Sequence, residues 1–107
     1  MLKCLALDRI FHALGDPTRR LIVEDLCDGE ASVSQIAERL PISLPTILGH
    51  LKVLECSGLI QTEKVGQVRR CRIEPQGLRL LGEWTTQRRR VWDADLMRLV
   101  AMVRPRG

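Results

Sequence analysis

Lys64, Arg69, Arg70 and Arg72 crowd into nine residues around a Gly66-Gln67 pair, with only Glu63 to offset them. Arginine grips phosphate through a planar fork of donors, so this cluster suits a polyanion. Some twenty residues upstream, Thr46 and His50 stand four apart, each able to hydrogen-bond a phosphate or a base edge. The four cysteines, Cys4, Cys27, Cys56 and Cys71, are widely spaced and form no Cys-x-x-Cys pair. They read as free thiols of a reducing compartment, not a disulfide frame. Catalysis has little to draw on: there are two histidines, no tyrosine, no asparagine, no nucleophile motif and no glycine-rich phosphate loop. Single-strand or RNA binding wants exposed aromatics, and Phe11, Trp84 and Trp92, the three present, all fall on apolar faces.

Charge is unevenly spread. Residues 1–30 carry four basic and six acidic side chains, whereas residues 31–107 carry thirteen against seven, nearly all of the basic ones arginine. The whole chain, at 107 residues, is the length of one domain with a modest core. With 45% hydrophobic and 28% charged residues it reads as soluble and globular. No apolar run could span a bilayer and no signal peptide is legible, so the expectation is a cytoplasmic protein without a membrane partner.

The elements that must hold these side chains follow from spacing. Leu2, Leu5, Ile10, Phe11 and Leu14 predict a helix ending near Gly15. Asp16-Pro17 reads as an N-cap and first-turn proline for a second helix to about Asp28, burying Leu21, Ile22 and Leu26. Ser32 and Gln35 have the capping-box form and open a short helix with Ile36, Ala37 and Leu40 inward, stopped by Pro41. Ser43 is placed to cap the next helix, with Pro45 in its first turn, and Ile47, Leu51 and Leu54 share one face. A β-hairpin follows from Leu59 to Glu74, with a type II′ turn at Gly66-Gln67. Pro75 starts a last helix to about Val103, closed by Arg104-Pro105.

This order predicts a mainly α fold with a small β-hairpin wing: a winged helix-turn-helix with a long C-terminal dimerisation helix. Within one domain, 1–15 is an N-terminal dimerisation helix, 32–57 the helix-turn-helix, 59–74 the wing and 75–103 the C-terminal dimerisation helix. In such a fold the second helix of the helix-turn-helix enters the major groove and a basic wing lies along the backbone. The candidate DNA-binding residues are therefore Ser43, Pro45, Thr46, Gly49, His50 and Lys52 on the helix, with Lys64, Arg69 and Arg70 on the wing. Gly49 removes bulk where a base edge must approach. The last helix carries more apolar side chains than one small core can cover, so Leu5, Leu7, Phe11, Trp84, Val91, Trp92, Leu96 and Leu99 are expected at a two-fold dimer interface. The competing reading is a winged-helix interaction or dimerisation module that does not read DNA.

Two stretches carry a family resemblance. Phe11-His12-Ala13-Leu14-Gly15-Asp16-Pro17-Thr18-Arg19-Arg20-Leu21-Ile22 is one, and Ile42 to Glu55 followed by Gly58-Leu59-Ile60 is the other. Together they resemble the ArsR/SmtB family of winged-helix repressors. The resemblance implies a homodimeric bacterial repressor, autoregulatory in type, that leaves a palindromic operator in double-stranded DNA when an effector binds. It carries over onto Ser43, Thr46 and His50. It does not carry over onto Leu48, where the family often has serine, and Gly49 stands where a basic residue is common. Family members that sense metals through thiolates have cysteines at positions matching Ser32 and Ser34, and zinc-binding members have a histidine on the last helix. Neither ligand set is present, so no metal and no cofactor are expected. Cys4, Cys27 and Cys56 remain as candidate thiol sensors, while Cys71, alternating with Arg70 and Arg72, is expected to face inward as a small hydrophobe.

Overall fold

The computed structural model describes the backbone of residues 2–103 and the side chains of residues 5–102. The side chains of Leu2, Cys4 and Val103, and the helix end at Arg104-Pro105, lie outside the described residues. The described chain runs α1 (Leu2–Leu14), α2 (Pro17–Cys27), β1 (Ala31–Ser32), α3 (Val33–Arg39), α4 (Leu44–Cys56), β2 (Ile60–Val65), β3 (Val68–Ile73) and α5 (Pro75–Val103).

Local chemistry sets these boundaries. Asp16 caps α2: its carboxylate accepts from Thr18 N at 2.8 Å and Arg19 N at 3.2 Å. Burial pushes that carboxyl up, but the two N–H donors together with the nearby His50 and Arg19 side chains outweigh it and hold it below its ordinary value, so the cap is charged at neutral pH. The capping box on α3 is complete, with Gln35 N donating to Ser32 Oγ at 3.1 Å and Ser32 N to Gln35 Oε1 at 2.9 Å. Helix α4 ends in a Schellman arrangement, in which Leu59 N donates to Leu54 O and Gly58 N to Glu55 O, with Gly58 at φ +83°. Gly66 stands at φ +64° and Gln67 is not at positive φ, which fits the type II′ turn and excludes type I′.

The sheet is larger than a hairpin. Strand β1, which the sequence reading missed, pairs antiparallel with β3 through Ala31↔Cys71 and Ser32↔Arg70, giving the order β1-β3-β2. The core gathers Ile10 and Ala13 of α1, Ile22, Val23 and Leu26 of α2, Ile36 of α3, Ile47, Leu51 and Leu54 of α4, and Leu59, Ile60 and Cys71 around the sheet. One expectation fails on α2. Leu21 is 47% exposed and Val23 is buried in its place, because the face turned to the core centres between Ile22 and Leu26.

The first turns of α5 belong to this core. Leu78, Leu80 and Leu81 pack on it, and Gly77 is buried against the α4 terminus. A Cβ on Gly77 would meet the Gly58 carbonyl oxygen at 2.3 Å. A Cβ on Gly82, one and a half turns on, would meet nothing within 4 Å. The two glycines therefore predict opposite outcomes. Gly77→Ala lowers stability by about 1–3 kcal/mol through overpacking, whereas Gly82→Ala raises it by about 0.5–1 kcal/mol through helix propensity. Urea unfolding of both variants checks the pair.

Beyond Gly82 every described α5 side chain is exposed. The 29-residue helix projects as an arm, and the radius of gyration is 18.5 Å, against about 13 Å for a compact domain of this size.

Candidate nucleic-acid interface

The core side of α4 is fixed by Ile47, Leu51 and Leu54. At 100° per residue the opposite side carries Pro45, Gly49, Lys52 and Cys56, all exposed. Thr46 is exposed on one shoulder, and Leu48, 45% exposed, on the other. Gly49 lies at the centre of the outward face, and a Cβ built there would meet nothing within 4 Å.

Ser43 occupies the N-cap position, but its hydroxyl makes no cap bond. Of the two N–H groups a cap hydroxyl can reach, the one at the second helical position is missing because Pro45 stands there, which leaves that of Thr46 alone. Its Oγ instead lies 2.8 Å from Thr46 Oγ1, so the two hydroxyls form an exposed polar pair at the helix start.

His50 is half-buried on the shoulder facing α2, where its Nδ1 lies 3.4 Å from the Arg19 guanidinium. Arginine can only donate, so Nδ1 accepts and the remaining ring proton belongs on Nε2. Arg19 also donates to Ala13 O at 2.6 Å and His12 O at 3.2 Å, and Arg20 to Leu14 O at 2.6 Å. Two arginines of α2 thus satisfy the last carbonyls of α1. One of them also touches α4. Sequence reasoning named Arg19 only as part of a signature. Its role needed the three-dimensional path from α2 to His50.

The wing sorts its charges by strand alternation. Thr62 and Lys64 of β2 oppose Cys71 and Arg69 of β3 and share the face toward α4. Arg69 donates to Thr62 Oγ1 at 2.8 Å, and Thr62 Oγ1 donates to Glu55 of α4 at 2.5 Å. Arg70 and Arg72 lie on the other face. Arg70 pairs with Glu30 at 3.4 Å, and Arg72 donates twice to Gln61 Oε1. The structure therefore groups Lys64 and Arg69 with the α4 surface, and separates Arg70 from them.

Among the described residues the cysteines do not converge. Cys27 and Cys56 are exposed at the ends of α2 and α4, and Cys71 is buried in the sheet. Burial pushes the Cys71 thiol up; Arg69 opposes this and Glu55 adds to it. Among the described residues no group of three or more His, Cys, Asp or Glu side chains is arranged to hold a metal. Native iodoacetamide treatment should label Cys27 and Cys56 and spare Cys71 until the chain is unfolded, as peptide mass mapping would read out.

An outward helix between a basic wing and a helix-turn-helix turn defines a winged helix-turn-helix of the DNA-binding class. Residues 16–62 match the arsR family of bacterial regulatory proteins. The HTH-type transcriptional regulator Rv2034 of Mycobacterium tuberculosis is 36% identical over 100 residues, covering 94% of this chain and 91% of the relative. The transcriptional repressor SdpR of Bacillus subtilis is 38% identical over 61 residues, covering 57% of this chain and 68% of the relative. The solution structure of the homodimeric winged helix-turn-helix DNA-binding domain Mb0332 from Mycobacterium bovis superposes with a TM-score of 0.66 at 27% identity, covering 76% of each chain. The chain belongs to the arsR family and is a helix-turn-helix transcriptional regulator.

Proposed function

We propose that the protein is a homodimeric repressor that binds a palindromic operator in double-stranded DNA. The observation that carries this reading is the outward surface of α4: Pro45, Gly49 and Lys52 are exposed opposite the core side with Thr46 exposed on the shoulder, and Arg69 shares with Lys64 the wing face that is tied to α4 through Thr62 and Glu55. Thr46 and the Ser43 hydroxyl supply groups able to read base edges. Lys52, Lys64 and Arg69 supply phosphate contacts. His50, with Nδ1 taken by Arg19, presents Nε2–H to a phosphate at the edge of the groove. Arg70 contributes less, through the field of the wing, because Glu30 partly neutralises it.

The homodimeric relative supports a two-fold assembly, and the unburied apolar stripe on α5 supports its placement there. Repression agrees with the name of the B. subtilis relative. We read the protein as cytoplasmic, without a catalytic role or a membrane partner; no described helix is long and apolar enough to cross a membrane. Control of its own promoter and release by an effector complete the reading.

Footprinting on the DNA upstream of the protein's own coding sequence tests it. The expected footprint is palindromic, with half-sites about 34 Å or a multiple apart on one face of the duplex. Protection that is uniform along the fragment would refute a sequence-reading repressor.

A further inference from the structure

The N-terminal half of a recognition helix is the part that meets base edges, and in α4 that half is nearly without hydrogen-bonding side chains. Between Leu44 and Leu51 the exposed residues are Leu44, Pro45, Thr46, Leu48 and Gly49. Thr46 alone among them has a side-chain donor or acceptor. Leu44 is 48% exposed and Leu48 45%. Leu44, Leu48 and Lys52 stand four apart and form one row along the helix, with Pro45 and Gly49 beside it. The nearby polar groups are partly spent. The Ser43 and Thr46 hydroxyls lie 2.8 Å apart and share one proton between them, and His50 turns its Nδ1 to Arg19.

The ordinary means of reading bases are therefore missing from this surface. Guanine is taken by arginine or lysine, adenine by asparagine or glutamine, and the cytosine amino group by aspartate or glutamate. None of these side-chain types occurs between Leu44 and Leu51. What remains is apolar surface, and the apolar group on the major-groove edge of the base pairs is the thymine 5-methyl.

We propose that Leu48, flanked by Pro45 and Leu44, determines specificity by packing against thymine 5-methyl groups of the operator. This rests on the DNA-reading role of α4 argued above and names the base chemistry it reads. A single exposed leucine needs no explanation, but this apolar row is continuous with cationic surface on two sides. Lys52 lies one turn beyond Leu48. Glu55, on the same side of α4, accepts from Thr62, whose wing face also carries Lys64 and Arg69. These cations draw a polyanion over the leucines. A DNA duplex is a polyanion that presents methyl groups inside a groove; RNA is not, because uracil lacks the methyl. Gly49 completes the fit, since it has no side chain to hold the helix away from the groove floor.

Burying one methyl group is worth about 4-fold in affinity, and a symmetric operator makes the contact twice, so losing both costs about 10-fold or more. Deoxyuridine in place of thymine removes that methyl and leaves the base pairing and the O4 acceptor intact. The test uses the footprinted operator with each thymine replaced in turn, symmetrically in both half-sites. Wild type and Leu48→Ala are titrated against the series by fluorescence anisotropy. Leu48 is exposed, so its truncation leaves the core untouched, which urea unfolding checks.

The expected result is at least one thymine whose replacement weakens wild type about 10-fold. At that position Leu48→Ala should bind the thymine and deoxyuridine operators within about 2-fold of each other. The two truncations then fail to add, as groups in direct contact do. A wild type that prefers its operator but is indifferent to every replacement would overturn the methyl contact and leave the DNA reading standing. So would a thymine effect that persists undiminished in Leu48→Ala, because it would then arise from DNA shape or another side chain. A wild type that binds operator no better than random duplex would overturn the DNA reading itself.

Discussion

Replacing Gly49 with glutamate is expected to give a protein that is more stable than wild type and does not bind DNA. The glycine sits mid-helix on α4, exposed, with open space where a Cβ would go, so the substitution meets no steric penalty. Helix propensity favours glutamate over glycine by roughly 0.5 kcal/mol, and the midpoint of urea unfolding should rise accordingly. The same carboxylate would stand at the centre of the surface proposed to approach the major groove, where it would face phosphates and base acceptors. Operator affinity should fall by about 100-fold or more, and affinity for random duplex should fall too. A Gly49→Glu variant that keeps operator affinity would remove α4's outward face from the interface. Because stability and binding are predicted to move in opposite directions, loss of fold cannot imitate the result.

The second large effect concerns the arm. A chain ended after Glu83 keeps Leu78, Leu80 and Leu81 on the core and Gly77 against Gly58, and loses, among the described residues, only exposed side chains, the edge contact of Trp84 with Phe11 being the one ring contact removed. It should remain folded, with a cooperative unfolding transition, and should be monomeric. Ending at Glu74 would instead strip the core of its α5 contacts. Two linked half-site contacts exceed one by the effective concentration of the second, so the truncated monomer should bind the operator roughly 100-fold or more weakly than the intact chain. Adding a second half-site to the DNA should then gain it almost nothing. Sedimentation and fluorescence anisotropy on one-half-site and two-half-site duplexes read both effects.

Much of this architecture was legible in the sequence because its signals were local. Asp16-Pro17, the Ser32–Gln35 box, Gly66-Gln67 and the spacing of Ile47, Leu51 and Leu54 each act over a few residues, and each is found where the spacing predicts. What escaped depended on partners distant in sequence. Strand β1 is two residues long and exists only because Ala31 and Ser32 reach Cys71 and Arg70 across forty residues of chain. Ser43 has the right type for a cap, but Pro45 removes one of the two N–H donors within its reach, and its hydroxyl pairs with Thr46 Oγ1 instead.

The wing arginines show how far pattern reading can go and where it stops. Strand alternation alone divides Lys64 and Arg69 from Arg70 and Arg72, and that division was available from the sequence. The partners that give it meaning were not. Glu30 draws Arg70 aside, and Glu55 with Thr62 ties Arg69 to α4. His50 is the same kind of case. Its position on α4 follows from counting, but its half-burial against Arg19 requires the packing of α1, α2 and α4 together.

In the proposed division of labour α4 reads base sequence while the wing supplies sequence-independent grip. Titrating wild type, Thr46→Ala and Arg69→Ala against operator and random duplex, each at two salt concentrations, tests it most directly. Thr46→Ala should erode the preference for operator by about 1–3 kcal/mol with the salt slope unchanged. Arg69→Ala should weaken binding to both duplexes alike and flatten the salt slope by about one counterion. Equal losses on operator and random duplex from Thr46→Ala, or an unchanged salt slope from Arg69→Ala, would contradict it.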